Sequence, residues 1–178
     1  MASFRVLGAF LAGGASSRFG SDKALAMIGE RPLIEHTADA LAAQVDALVI
    51  CGRPWGDWTW ISDRPTAGLG PLGGLNAALH HAHENGFDAV LCAPVDVFPL
   101  PTDLLARLAG DQARTLLRQY AVGFWPARLA PMLDQQLASG VRSIHAWIAA
   151  TGALAHDDEA LGLRNINLRE HLPTPSKE

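Results

Sequence analysis

The sequence predicts an α/β domain with three αβα layers and a mostly parallel sheet. Short apolar segments rich in branched residues recur along the chain and alternate with segments whose apolar residues have helical spacing. The apolar segments lack polar alternation, which is typical of strands buried on both faces of a sheet. Gly and Pro residues lie at the junctions between these two kinds of segment. Strands that alternate with helices in this way favour one α/β domain with a largely parallel sheet.

The first half of the chain contains four predicted strands and two predicted helices. Pro32 fits the first turn of a helix whose apolar residues recur from Leu33 to Val45. Several Gly and Pro residues in RPTAGLGPLGG precede the second helix, predicted at 75–83. The four predicted strands are 6–12, 47–51, 58–62 and 88–93.

The second half is predicted to add three helices and three strands. Thr102 is expected to cap a helix that ends with Gly110 as its C-cap residue. Further helices are predicted at 127–138 and 143–149, and strands at 114–117, 120–125 and 163–167. The chain is expected to form one domain over residues 1–172 with a polar tail at 173–178.

Composition narrows the classes of function. The 178 residues carry a net charge of −4 and no basic run, which argues against nucleic-acid binding. Cys51 and Cys92 lie in apolar segments outside any CxxC pair, so they are expected to be reduced core residues. No segment approaches the roughly 20 apolar residues that cross a bilayer, and the N-terminus predicts a strand rather than a signal peptide. A cytoplasmic protein without a membrane partner is expected.

The strongest local signal is LAGGASSRFGSDK, residues 11–23, directly after the first predicted strand. Glycines let backbone N–H groups approach an anion, and Arg18 and Lys23 can neutralise its charge. The segment contains neither a GxGxxG dinucleotide motif nor the Gly-Lys-Ser/Thr ending of a P-loop. It predicts a phosphate-binding loop of another kind, and a turn with solvated charges is the alternative.

Two aspartates, Asp63 and Asp96, follow predicted strands at matching places. Ligands of open parallel sheets bind beyond the carboxyl ends of the strands, so both carboxylates and the glycine-rich loop are expected to face one crevice. Mg²⁺ uses one or two carboxylates together with phosphate oxygens, which makes Asp96 the candidate metal ligand. A turn or cap role is the alternative for each aspartate.

Other clusters are weaker candidates. The segment GLGPLGG at 68–74 opens a helix whose N–H groups could approach a base or a phosphate. The following helix carries three histidines that are assigned to a solvated face, because no carboxylate stands at zinc-ligand spacing; they are His80, His81 and His83. Three tryptophans are assigned to the edge of the core: Trp55, Trp58 and Trp60. No residue is a candidate for covalent catalysis.

Five segments resemble, in order and spacing, the molybdenum cofactor guanylyltransferases, which are nucleotidyltransferases with a Rossmann-like fold of the glycosyltransferase-A type. They are LAGGASSRFGSDKAL, GERPL, SDRPTAGLGPLGGLNAAL, APVDVFPLP and NIN. The resemblance implies Mg²⁺-dependent transfer of GMP from GTP to the terminal phosphate of molybdopterin, with release of pyrophosphate. LAGG and GPLGG favour guanine. A nucleotidyltransferase with another base or acceptor, and a non-catalytic nucleotide-binding adaptor, are the alternatives.

The resemblance also implies roles by position. Lys23 would bind the nucleotide phosphates and, with Arg18, stabilise the departing pyrophosphate, while Asp63 would lie at the nucleoside and Asp96 would hold Mg²⁺. Backbone contacts to the nucleotide are implied for Leu11, Ala12, Gly13 and Gly14. Four further positions match family elements near the site: Cys51, where many members have Asn, and Gly73, Asn165 and Asn167. Apart from the resemblance, the large anionic acceptor makes Arg114, Arg118 and Arg142 in the C-terminal half candidate contacts, with solvation at the surface as the favoured alternative for each. Partner proteins would be molybdoenzymes or proteins that handle the cofactor.

Overall fold

The computed structural model of the protein describes residues 3–13 and 23–166. Three residues predicted for the site, Gly14, Arg18 and Asn167, lie outside the described residues. Lys23 begins a short 3₁₀ turn, Lys23–Leu25, and only its backbone is described.

Strands and helices alternate along the described residues. The strands are β1 Val6–Leu11, β2 Met27–Ile28, β3 Arg31–Pro32, β4 Ala47–Cys51, β5 Trp60–Ile61, β6 Ala89–Pro94, β7 Val97–Phe98, β8 Arg114–Leu116, β9 Gly123–Pro126, β10 Leu154–His156 and β11 Arg164–Asn165. The helices are α1 Leu33–Ala42, α2 Pro71–Glu84, α3 Leu104–Leu108, α4 Ala130–Ala138 and α5 Ile144–Thr151.

The central sheet has the strand order β10-β8-β9-β6-β1-β4-β5. Strand β9 runs antiparallel to both of its neighbours, β6 and β8, and the other neighbouring strands pair in parallel. The predicted α/β class with a mostly parallel sheet is therefore confirmed. Two short antiparallel ribbons, β2–β3 and β7–β11, lie outside this sheet.

Helices cover both faces of the sheet and produce two hydrophobic clusters. On one face, α1 and α3 pack against side chains such as Phe10 of β1. On the other, α2, α4 and α5 pack against Leu7 and Leu11 of the same strand. All six residues of β1 are buried because this strand lies at the centre of the three layers.

Helix α5 illustrates how local sequence and packing agree. The Ser143 hydroxyl oxygen accepts a hydrogen bond from the Ala146 amide at 3.3 Å, and Gly152 ends the helix in the left-handed conformation. Between these caps, Trp147 is fully buried with its ring centroid 5.7 Å from that of Trp125 on β9. The caps set the ends of α5, and this aromatic pair fixes the helix against the sheet.

The predicted boundaries of α3 are wrong. Asp103 rather than Thr102 is the N-cap residue, and Ala109 rather than Gly110 follows the last helical residue. The amide of Leu105 is satisfied by the distant Gln44 side chain at 2.9 Å, a tertiary contact that replaces a local cap. Helix α2 also begins before its predicted start, at Pro71, which occupies the N1 position that proline favours.

The predicted solvated face of α2 is wrong for His80. Its Nε2 lies 2.8 Å from Oδ2 of Asp134 on α4, and the His80 side chain is only 18% exposed. The other Asp134 oxygen accepts a hydrogen bond at 2.8 Å from the fully buried Asn76 side chain. These contacts join α2 to α4. Trp55 and Trp58 pack at the edge of the core as predicted, whereas Trp60 is exposed.

Both cysteines are free and buried, as expected. Burial raises the pKa of both thiols, that of Cys92 to about 11, so both are protonated at neutral pH. Across residues 3–13 and 23–166, each helix is too short or too polar to cross a bilayer.

Candidate active site

One edge of the sheet gathers the candidate functional residues. Parallel strands β5, β4, β1 and β6 all end at this edge, where they are followed by Asp63, Gly52, Gly13 and Asp96 respectively. Strand β9 begins at the same edge because it runs antiparallel to β6, with Gly123 opposite Cys92. The 117–122 turn that links β8 to β9 therefore lies beside the end of β6.

A cavity of about 310 Å³ opens at this edge. Its lining comes from Leu11, Gly13, Gly70, Pro71, Pro94, Val95, Asp96, Val97, Gln119, Tyr120, Ala121 and Asn165. Four of these, namely Leu11, Gly13, Asp96 and Asn165, are residues that the sequence predicted. The N-terminus of α2 also faces the cavity through Gly70 and Pro71. The structure thus combines the end of β1, the acidic loop after β6 and a helix N-terminus in one crevice.

Asp63 adjoins this cavity but is not among its lining residues. Its carboxylate occupies a cradle of glycines, in which a Cβ built on Gly13, Gly52 or Gly73 would lie 3.9, 3.4 or 3.3 Å from a carboxylate oxygen. No described residue donates a hydrogen bond to this half-buried carboxylate, and burial raises its pKa. Asp63 therefore retains acceptor capacity for donor groups of a ligand.

The loops after β1 and β4 approach each other through glycine backbones. Gly52 has a φ of +93°, and a Cβ at this position would lie 2.7 Å from the Gly13 Cα. The Ala12 amide donates to the Cys51 carbonyl at 3.1 Å, and the Gly52 amide donates to the Ile61 carbonyl at 2.9 Å. These bonds hold the backbone of residues 12 and 13, which the resemblance assigns to the nucleotide.

Cys51 lies beneath the site and does not line the cavity. Its side chain is buried in the cluster under α2, and a Cβ on Gly74 would lie 3.1 Å from the Cys51 Cβ. Burial, and secondly the charge of the nearby Asp63, raises the pKa of the thiol. The residue at this family-matched position thus lies in the core directly behind the site, and its role at the site stays a prediction.

The antiparallel ribbon β7–β11 completes the side of the cavity on which Asp96 lies. Strand β11 pairs with β7 so that Asn165 lies opposite Val97, and the Ile166 amide donates to the Asp96 carbonyl at 2.7 Å. The Val95 amide in turn donates to the Leu11 carbonyl at 3.2 Å. The loop that carries Asp96 is thus fixed on both sides, to β1 and to β11.

Sequence analysis missed the contribution of the β8–β9 turn. The prediction placed Tyr120 inside a strand, but the Val122 amide donates to the Gln119 carbonyl at 2.8 Å and closes a turn. Gln119 and Tyr120 consequently line the cavity. The signal that could have located them is the antiparallel direction of β9, which is a property of the sheet rather than of the local sequence.

The three arginines considered for the acceptor do not line the cavity. The Arg118 guanidinium pairs with Asp157 at 2.7 Å and with Glu159 at 3.1 Å, so its charge is engaged within the protein. Arg114 packs against Gly110, where a Cβ would lie 2.9 Å from its Nη2. Arg142 is exposed at the start of the segment before α5.

The chain is similar along most of its length to proteins of one kind. Residues 8–154 match the family model of the MobA-like NTP transferase domain. The chain is 36% identical over 184 residues to a molybdenum cofactor guanylyltransferase of Cereibacter sphaeroides, with 94% of each chain covered. It is 33% identical to the Rhodobacter capsulatus protein of that name, with 94% of this chain and 93% of the relative covered.

The fold is also similar to a solved structure. Molybdopterin-guanine dinucleotide biosynthesis protein A from Archaeoglobus fulgidus superposes with a TM-score of 0.71 and 22% identity. The match covers 87% of this chain and 85% of that one. At this level of identity the similarity supports the fold.

Proposed function

The chain belongs to the MobA-like NTP transferase family, and from that premise we propose that it transfers GMP from GTP to the terminal phosphate of molybdopterin. The products are the guanine dinucleotide form of the cofactor and pyrophosphate. The observation that carries this proposal is the cavity that joins Gly13 at the end of β1 with Asp96 after β6. Proteins that receive or handle the cofactor are the expected partners, in the cytoplasm.

The residues suit direct transfer between phosphates. A phosphate monoester oxygen is already a nucleophile at neutral pH, so attack on the α-phosphorus of GTP needs no covalent intermediate and no protein nucleophile. A P–O bond forms to the acceptor as the bond to pyrophosphate breaks. The protein's task is to align the two phosphates and to neutralise their charge. We assign charge neutralisation to Arg18 and Lys23, and contact with the nucleoside to Asp63.

Asp96 fits a divalent cation that is shared with the substrate. The described residues contain no group of three or more His, Cys, Asp or Glu side chains that could hold a metal by themselves. Mg²⁺ nevertheless binds commonly through one or two carboxylates and substrate phosphates, and the Asp96 loop faces the cavity with its backbone fixed. When bound there, Mg²⁺ would supply positive charge to the phosphates.

The first experiment compares nucleotide donors. Purified protein is mixed with Mg²⁺, molybdopterin and GTP, CTP or ATP, and pyrophosphate and the dinucleotide product are both measured. Product with GTP alone is the expected result. Product with CTP instead would assign the chain to a cytidylyl branch, and binding of GTP without any product would favour the adaptor alternative.

Variants separate catalysis from folding. Asp96→Asn and Lys23→Ala should each lower turnover on the order of a hundredfold or more, because transition-state charge loses its partner, while thermal unfolding stays cooperative. The matched control is Asp111→Asn, an exposed carboxylate before β8 at the opposite edge of the sheet, which should leave turnover unchanged. Loss of folded protein in both site variants would contradict their assignment to the reaction.

A further inference from the structure

The β8–β9 turn presents an aromatic ring to the cavity. Tyr120 lines the cavity and is 39% exposed, and its ring centroid lies 4.2 Å from that of His145, the second residue of α5. The imidazole covers part of the ring, and the cavity provides space beside it. An exposed aromatic ring that is held by a second ring is suited to stack on a flat ligand.

The turn that carries Tyr120 is held from below by a buried carboxylate. Asp158 is 3% exposed and accepts hydrogen bonds from the backbone amides of Arg118 at 2.9 Å and Gln119 at 3.0 Å. The Gln119 carbonyl accepts the bond that closes the turn. Because these bonds fix the backbone on the N-terminal side of Tyr120, its ring is preorganised at the cavity wall.

The order of strands places Tyr120 away from the donor nucleoside. Asp63 follows β5, Asp96 follows β6 and Tyr120 precedes β9, so Asp96 lies between the other two along the edge. Four interstrand steps separate β5 from β9, which amounts to about 19 Å at ordinary strand spacing. A nucleoside at Asp63 with its α-phosphate near Asp96 leaves the Tyr120 side of the cavity for the acceptor.

We propose that Tyr120, supported by His145, is the surface on which the planar pterin ring system of the acceptor stacks. This inference rests on the proposed function, in which the acceptor is a pyranopterin that carries its phosphate on a short arm. With that phosphate near Asp96, the ring system extends towards β9, where Tyr120 meets it. Tyr120 is thus a binding and specificity residue for the acceptor and takes no part in bond breaking.

The test compares Tyr120→Ala with Tyr120→Phe, which keeps the ring. Three quantities are measured for each: the KM for molybdopterin, the KM for GTP, and the Kd of 6-hydroxymethylpterin monophosphate from quenching of its fluorescence. The Ala variant should raise the molybdopterin KM and the probe Kd about two- to tenfold, as expected for loss of one aromatic stack, with the GTP KM unchanged. The Phe variant should resemble the wild type.

Further variants separate stacking from a general disturbance of the turn. His145→Ala should weaken pterin binding in the same direction as Tyr120→Ala but less. Leu117→Ala removes a 56% exposed side chain of the same turn that does not line the cavity, and it should change neither KM. Equal acceptor KM and probe Kd in the wild type and Tyr120→Ala would overturn the proposal, as would a rise confined to the GTP KM.

The probe titration keeps this inference distinct from the proposed function. If the wild type forms no dinucleotide from GTP and molybdopterin, the proposed reaction fails, whatever Tyr120 does. Saturable quenching of the pterin probe that is weakened by Tyr120→Ala and kept by Tyr120→Phe would still support the stacking surface. No saturable quenching by the wild type would overturn it.

Discussion

At the scale of single residues, Asp63 combines poor solvation with unused hydrogen-bonding capacity. Its carboxylate lies among glycine backbones, no described residue donates to it, and burial raises its pKa. A raised pKa means that the folded state binds the proton more tightly than the unfolded state does. Ionised Asp63 therefore lowers the free energy of unfolding at neutral pH, and this cost disappears as the pH falls from the folded pKa to the unfolded value.

This cost predicts that Asp63→Asn keeps or gains stability at neutral pH and loses affinity for GTP. At pH 7 the variant should melt at the same temperature as the wild type or slightly above it, and the difference should shrink as the pH approaches 4. Its GTP KM should rise about ten- to hundredfold, because a hydrogen bond to a charged acceptor is lost. Thermal unfolding at several pH values and steady-state kinetics measure both effects.

Asp46→Ala is the contrasting control for Asp63. The Asp46 carboxylate accepts a hydrogen bond at 2.7 Å from the amide of Val6, the first residue of β1, at the edge of the sheet opposite the cavity. Its loss should lower the melting temperature and leave the GTP KM unchanged. An Asp63→Asn variant that behaves like Asp46→Ala would make Asp63 a structural residue.

Single residues also show what the sequence could and could not predict about the site. The position of Gly13 and Asp96 at the cavity could be predicted because each comes two residues after a buried apolar strand, and the carboxyl ends of parallel strands meet at one edge. Tyr120 was missed because its position depends on the direction of β9. Cys51 is a buried core residue, as its apolar segment predicts, but its place directly behind the site depends on the helix packed over it, α2 at Gly74.

At the scale of elements, the junction between the ends of β1 and β4 depends on glycine. Gly52→Ala should lower the free energy of unfolding by about 1–3 kcal/mol, because its φ of +93° is strained for alanine and its Cβ would lie 2.7 Å from the Gly13 Cα. Relief of this clash moves residues 12 and 13, so the GTP KM should rise as well. Denaturant unfolding and kinetics measure the two effects.

Gly56→Ala is the matched control for this junction. Gly56 also has a positive φ, +53°, but a Cβ there meets nothing within 4 Å. The control therefore carries the backbone strain without the clash, and it should leave the GTP KM unchanged. Equal effects of the two substitutions on KM would show that strain alone, rather than the contact with Gly13, accounts for the need for glycine.

Element boundaries reveal which signals are local. Helix α5 lies close to its predicted position because both of its caps are local. The Ser143 side chain caps the N-terminus, and Gly152 ends the helix in the left-handed conformation. Helix α3 departs from its prediction because Gln44, far away in the sequence, supplies the partner for the Leu105 amide. Strands in the centre of the sheet were predicted well because burial on both faces leaves a continuous apolar run. The edge strand β10 and the strand β7, which lies outside this sheet, are short and have no such run.

At the scale of the whole molecule, segments late in the chain determine the side of the cavity that we propose for the acceptor. Strand β11 is tied to the Asp96 loop, and Asp158 is tied to the β8–β9 turn. The side proposed for the nucleoside, by contrast, is built from the first half of the chain, through Gly13, Gly52 and Asp63. Substitutions in these later segments should therefore weaken binding of the acceptor and leave binding of GTP unchanged.

Asp158→Ala tests whether the two sides of the cavity are formed by separate parts of the chain. The substitution leaves two partly buried backbone amides without their acceptor, which should cost about 1–3 kcal/mol of stability and lower the melting temperature by about 3–9 °C. The turn then loses its fixed position, so the molybdopterin KM should rise. The rise in melting temperature caused by saturating GTP and Mg²⁺ should stay the same, since that ligand stabilises through the other half of the site.

The neighbouring Asp157→Ala provides the control within the same loop. It removes the exposed ion pair with Arg118 at 2.7 Å and keeps both bonds from Asp158 to the backbone, so the melting temperature and both KM values should change little. If Asp158→Ala abolished the stabilisation by GTP as well, the two halves of the cleft would form one cooperative unit. Because Asp158 and Asp63 lie at opposite ends of the strand order, separate responses are the expected result.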